Sequence, residues 1–114
     1  MEKLIILFVC MITLTSHSIN PLAGNTDSIN AGKNLYKQRC SNCHGTSANG
    51  KDNGFFMSPS LRKFNRGYLG FIDTLTNGYG RMPAWGGMSE LSSSQLNELA
   101  SYLESIAIES SNWK

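Results

Sequence analysis

The sequence predicts an all-α fold, a bundle of three to four helices with long loops between them. Three observations predict it. Apolar residues recur at helical spacing in three separate stretches, and no stretch alternates in the manner of a strand. A chain of 114 residues with a hydrophobic share of 40% suffices for one small domain and leaves no room for two. The Gly-rich connections are long for so small a protein. Because apolar burial alone gives marginal stability at this size, the long loops imply that something other than protein fills part of the centre. With 16% charged residues, the composition fits neither a disordered chain nor a membrane bundle.

Residues 1–18 have the layout of a secretory signal peptide: Lys3 near the start, an apolar run over 4–14 broken by Thr13, then the small polar Thr15, Ser16 and Ser18. The run spans about 11 residues, short of the roughly 20 that cross a bilayer core. Cleavage ahead of Ile19 leaves a periplasmic mature chain with no stable membrane insertion; retention of the segment as an uncleaved anchor is the alternative. Lipidation at Cys10 is disfavoured by Leu7, Phe8 and Val9, which lack the small residue that such processing prefers.

Residues 19–27 read as a flexible lead-in, 28–109 as the domain and 110–114 as a tail. Ser28 is the expected cap of a first helix over 29–39, with Ala31, Leu35 and Tyr36 as its apolar positions. Residues 45–54, rich in Gly, Ser, Asn and Asp, form a loop, and Phe55, Phe56 and Met57 follow as an apolar cluster ahead of Pro59 and Leu61. A second helix over 66–76 rests on Leu69, Ile72 and Leu75 and is closed by Asn77 and Gly78. After a second Gly-rich loop, Ser92 and Gln95 make a capping box. The last helix carries Leu96, Leu99, Ala100, Leu103, Ile106 and Ala107 on one stripe.

Cys40-Ser41-Asn42-Cys43-His44 is a C-x-x-C-H sequence, the attachment signature of a c-type haem. Near a helix end, sulfurs three residues apart face one side, where each forms a thioether with a haem vinyl group, and His44 follows with an imidazole free to ligate iron axially. Two alternatives compete: a redox disulfide and a zinc site. A zinc site wants a second ligand pair, yet the mature chain has no other Cys or His. A redox pair of the thioredoxin kind belongs to a strand-containing fold, which this pattern lacks. The sixth iron position has three candidates in the mature chain, Met57, Met82 and Met88. Met82 is preferred, because the glycines around it allow close backbone approach to a flat macrocycle and Pro83 stiffens the loop that presents the thioether. Met88 is the alternative distal ligand.

This arrangement resembles the class I cytochrome c family, the small bacterial mono-haem cytochromes. The resemblance spans nearly the whole mature chain: a first helix ending in Cys40-Ser41-Asn42-Cys43-His44-Gly45, the Pro59-Ser60-Leu61 segment, the Met82-Pro83 loop and a final helix carrying Tyr102. It implies one haem c, attached through Cys40 and Cys43, with His44 and Met82 on its iron. It also implies that the Pro59 carbonyl accepts the Nδ1 hydrogen of His44 and that Gly32 crosses closely against the last helix near Tyr102. Ser58 departs from the family pattern, which often has Gly before that proline.

Trp85 is a candidate haem contact or propionate donor, with ordinary core packing as the alternative, and Arg81 is either a propionate partner or a solvated side chain. Phe55, Phe56, Met57, Leu61, Phe71, Ile72 and Leu75 are pocket candidates as a set. Charge is uneven: Lys33, Lys37, Arg39, Lys51, Arg62, Lys63, Arg66 and Arg81 outnumber Asp52 and Asp73 over 28–81, while Glu90, Glu98, Glu104 and Glu109 outweigh Lys114 beyond. That asymmetry suits a partner with an acidic docking patch, or is simply a solvated surface. Nucleic acid is not suggested, since no basic run occurs. The expectation is an exported monomer, not itself an enzyme, that carries single electrons between a dehydrogenase donor and an oxidase or reductase acceptor. The alternatives are a haem-based sensor or peroxidase-like protein with a displaceable Met82, and a haem subunit of an oxidase or dehydrogenase complex.

Overall fold

The computed structural model describes residues 19–114, so the expected signal peptide and Cys10 lie outside the described residues. The chain runs through α1 (Thr26–Arg39), the one-turn α2 (Ser41–His44), β1 (Lys51–Asp52), β2 (Met57–Ser58), a 3-10 turn at Leu61–Lys63, α3 (Gly67–Asn77), a second 3-10 turn at Ala84–Gly87, and α4 (Ser93–Ser105). The fold is all-α with little strand, as the periodicity predicts. The small sheet is an antiparallel pair, Lys51 opposite Ser58 and Asp52 opposite Met57. It was not foreseen, because two-residue strands are too short to show alternation.

Helix α1 begins earlier than expected. Asn25, not Ser28, is its cap: the Asn25 side chain accepts the Ser28 N–H at 2.9 Å, and Ser28 is buried one turn in. Its inward face is Ser28, Gly32 and Tyr36 rather than Ala31 and Leu35, which are half-buried. This face crosses α4 at Gly32, where a Cβ atom would lie 1.9 Å from the Glu98 carbonyl oxygen and 2.9 Å from Tyr102 Cβ. Only a residue without a side chain permits that approach, so Gly32 fixes the crossing point. Tyr36 and Tyr102 pack beside it with ring centroids 5.6 Å apart.

The capping box forms in α4 as read from the sequence: Ser92 Oγ accepts the Gln95 N–H at 3.1 Å, and Gln95 Oε1 accepts the Ser92 N–H at 2.9 Å. Leu96, Leu99, Ala100 and Leu103 are buried, whereas Ile106 and Ala107 lie past the helix end and are half-buried. In α3 the buried set is Gly67, Phe71, Thr74 and Leu75, and Leu69 points outward with 69% of its surface exposed.

Both ends of the described chain are held by side chains. Asn20 is buried, and its Nδ2 donates to Asn97 O and Ser101 Oγ, each at 2.9 Å, so the segment read as a lead-in is docked on α4. At the other end Trp113 is buried against Phe64 and Phe71, with centroids 5.0 and 5.3 Å away. Asn112 joins it there, donating to Phe64 O at 2.8 Å and accepting from Gly67 N at 3.0 Å. The last residues therefore complete the core beside the start of α3.

Candidate functional site

Helix α1 delivers the cysteine motif. The Cys40 N–H still donates to Tyr36 O at 2.8 Å, and after Cys40 the chain makes one more turn, with Cys43 N and His44 N both donating to Cys40 O at 3.2 and 2.9 Å. The two thiols are free; Cys40 is half-buried and Cys43 exposed. Burial pushes the Cys40 thiol up to about 12, with Cys43 adding to the rise and Arg39 opposing it. Gly45, with φ +89, ends the turn. Its carbonyl accepts the hydroxyl of the buried Tyr36 at 2.5 Å, locking the motif to the α1–α4 crossing. The Tyr36 hydroxyl is held well above its ordinary range, chiefly by burial.

His44 is buried, and its Nδ1 lies 3.1 Å from the Pro59 carbonyl oxygen, the contact that the resemblance implies. As the donor, Nδ1–H leaves Nε2 as the lone-pair nitrogen, the tautomer a metal ligand needs. Burial lowers the pKa of the ring, and the Pro59 contact opposes that in part. Pro59 is brought to the ring by residues that sequence reasoning passed over. Gly50, at φ +95, donates its N–H to His44 O at 2.9 Å, and a Cβ there would meet Ser58 O at 2.7 Å. Ala48 is fully buried at φ +60, and its carbonyl accepts the Leu61 N–H at 2.8 Å. Ser58 is buried and bonded to Asn53 Nδ2 at 2.8 Å, and Asn53 also donates to Cys43 O at 3.2 Å. Ser58, the departure from the pattern that the resemblance implies, thus ties the hairpin to the motif through Asn53. Nothing in the residue pattern marks Ala48 or Gly50; only the close backbone approach does.

Met82 sits in a second, tighter hairpin: Tyr79 and Met82 exchange both backbone hydrogen bonds at 2.9 Å around Gly80 and Arg81. Gly78, the C-cap of α3 at φ +82, would place a Cβ 2.7 Å from Met82 O and 3.0 Å from Ala84 N. The glycine before Met82 therefore lets the Met82-Pro83 segment lie against the helix end. Met82 is half-buried against the core, while Met57 and Met88 are 70% and 46% exposed. Of the three candidates only Met82 is turned inward. Trp85 is half-buried against the core with φ +58, a left-handed conformation shared with Gly86 and Gly87. Leu61 is half-buried on the same cluster.

Two of the expected pocket features do not appear as such. Phe55 is 94% exposed at the tip of the β1–β2 hairpin, and Phe56 and Met57 are exposed with it. The turn that closes the hairpin projects these side chains away from the core. Arg81 is exposed, and its Nη1 donates to Phe55 O at 3.4 Å, linking the two hairpins.

The donor set fits a c-type haem: two thiols one helical turn apart, a buried imidazole fixed through Nδ1, and an inward-facing thioether on a glycine-flanked loop. Among the described residues no cluster of three or more His, Cys, Asp or Glu that would hold a metal ion occurs, and no helix is long and apolar enough to cross a membrane. A family model described as cytochrome c oxidase, cbb3-type, subunit III matches residues 27–103. No curated protein and no solved structure matches the chain.

Proposed function

The chain belongs to the cbb3-type cytochrome c oxidase subunit III family, a c-type cytochrome domain that works in haem-based electron transfer, and from that premise we propose that it is an exported electron carrier holding one haem c. In this reading Cys40 and Cys43 hold the haem covalently, His44 and Met82 ligate its iron, and Pro59, Leu61 and Trp85 flank it. The haem supplies a one-electron change between ferric and ferrous iron.

The chain's own residues then account for the carrier behaviour. Pro59 fixes the His44 ring, so the imidazole keeps its orientation in both oxidation states. Gly78 and the Tyr79–Met82 pairing hold the backbone of Met82, and its half-buried seat against the hydrophobic core would favour the less charged ferrous state. Cys43 lies at the surface, which gives redox partners in a respiratory setting an approach on that side. The chain after residue 18 has no His other than His44 to act as a distal acid or base, which supports the carrier reading over a peroxidase-like one.

The observation that carries the reading is the buried His44 ring, anchored through Nδ1 beside two free thiols. Its test is an absorption spectrum of the exported protein beside Met82→Ala. The parent is expected to show the far-red sulfur-to-iron band and the variant to lose it. A parent without the band, or a variant that keeps it, makes Met82 the wrong ligand. Pigment that extracts freely into acidified organic solvent would remove the covalent attachment. The description of the matched family favours a second reading, a haem subunit held within an oxidase complex; co-purification with membranes rather than recovery from the periplasmic fraction would select it.

A further inference from the structure

Arg66 stands immediately ahead of α3, yet its side chain folds back along that helix. Its Nη2 donates to Thr74 Oγ1 at 2.5 Å, and Thr74 spends its own hydroxyl proton on Gly70 O at 2.8 Å, leaving the oxygen free to accept. Gly70 clears the lane, since a Cβ there would lie 2.8 Å from Arg66 Cβ. So placed, the guanidinium carbon is 3.8 Å from the Tyr79 ring centroid and 5.1 Å from that of Phe64. Tyr79 is the residue whose backbone pairs with Met82 through two hydrogen bonds of 2.9 Å. One chain of contacts thus runs from Thr74 in α3 through Arg66 and the Tyr79 ring to the backbone that carries the Met82 thioether.

We infer that Arg66 is a positioning residue for Met82: stacked on Tyr79 and tied to Thr74, it clamps the Tyr79–Met82 hairpin to α3 and sets how readily the thioether gives way to an added ligand. The inference rests on the reading of Met82 as the distal ligand. A planar guanidinium suits the role because it stacks on the ring with one face while its edge donates to the hydroxyl, which an ammonium on a flexible stem does not do.

The test is titration of the ferric holoprotein with imidazole, followed as loss of the far-red band, with helical circular dichroism showing that each variant is folded. Arg66→Leu and Tyr79→Leu are each expected to bind imidazole about fivefold more tightly than the parent, the factor that corresponds to one exposed cation–π contact. The double variant is expected to go no further than either single one, and Tyr79→Phe, which keeps the ring, to match the parent. Parental imidazole affinity in Arg66→Leu, or effects that simply add in the double variant, overturns the inference while leaving Met82 as ligand. A parent without the far-red band overturns both. Should Arg66→Leu fail to fold, Tyr79→Leu against Tyr79→Phe makes the same comparison on its own.

Discussion

The crossing of α1 and α4 and the two loops that carry Pro59 and Met82 are built by different means. At the crossing, side chains interlock: Tyr36, Leu99, Ala100 and Leu103 are almost fully buried around the close approach at Gly32. In the loops the alignment comes from backbone against backbone, with Gly50 under Ser58 and Pro59, and Gly78 under Met82 and Pro83. Their side chains turn outward at Phe55, Met57 and Met88. A packed frame tolerates small shifts poorly, whereas backbone-to-backbone seats fix where a carbonyl or a loop segment stands without burying much surface. Burial in this protein is therefore concentrated where side chains interlock, and the placement of the Pro59 and Met82 backbone rests mainly on glycines.

Substitutions on either side sharpen the contrast. The largest loss is expected at the frame's C-terminal seal, where Trp113→Ala removes the ring packed on Phe64 and Phe71 and lowers unfolding free energy by about 3–4 kcal/mol in urea titration. The buried Trp113 Nε1 has no hydrogen-bond partner, so no polar bond is lost with the ring. Next comes Gly32→Ala: its methyl would meet the Glu98 carbonyl at 1.9 Å, and the forced separation of α1 from α4 is expected to lower stability by about 2–3 kcal/mol. Gly50→Ala is expected to lower stability by about 1–2 kcal/mol, from the strained φ and the contact with Ser58 O. Its distinctive result is a shift in redox potential as the Pro59 carbonyl leaves His44, read by spectroelectrochemical titration; an unchanged potential would mean that Gly50 matters for stability alone. At the small end, Phe55→Ser at the exposed hairpin tip is expected to move stability by no more than about 0.5 kcal/mol in the same urea titration. A loss near that of Trp113→Ala would show that the tip belongs to the frame.

How much of this was legible beforehand follows the same division. The inward turn of Met82 follows from the glycines and proline around it, and the capping box at Ser92 was readable because it is a local pattern whose chemistry depends on spacing. The stripe of α4 was readable through Leu103 for the same reason. Leu69 differs from the periodicity because apolar spacing in α3 is satisfied by two overlapping faces, and Phe71 with Thr74 and Leu75 takes the inward one. Asn20 and Trp113 were read as parts of a lead-in and a tail, since a single anchor residue carries no period; their seats depend on residues 81 and 49 or fewer positions away in the folded chain, such as Ser101 and Phe64. Ala48 and Gly50 were invisible because their roles arise from how closely the backbone passes, not from what their side chains offer.

The docking of Asn20 has a geometric consequence. Chain entering the domain is pinned to the flank of α4 before α1 begins, and α1 then runs for 14 residues, about 21 Å, to the cysteine pair. Asn20 is thus seated on the same stretch of α4 that Gly32 crosses from the middle of α1. Anything grafted ahead of Asn20, whether a spacer or an immobilising anchor on an electrode, would therefore load α4 beside the Gly32 crossing, and Cys40 stands eight residues further along the chain from that crossing.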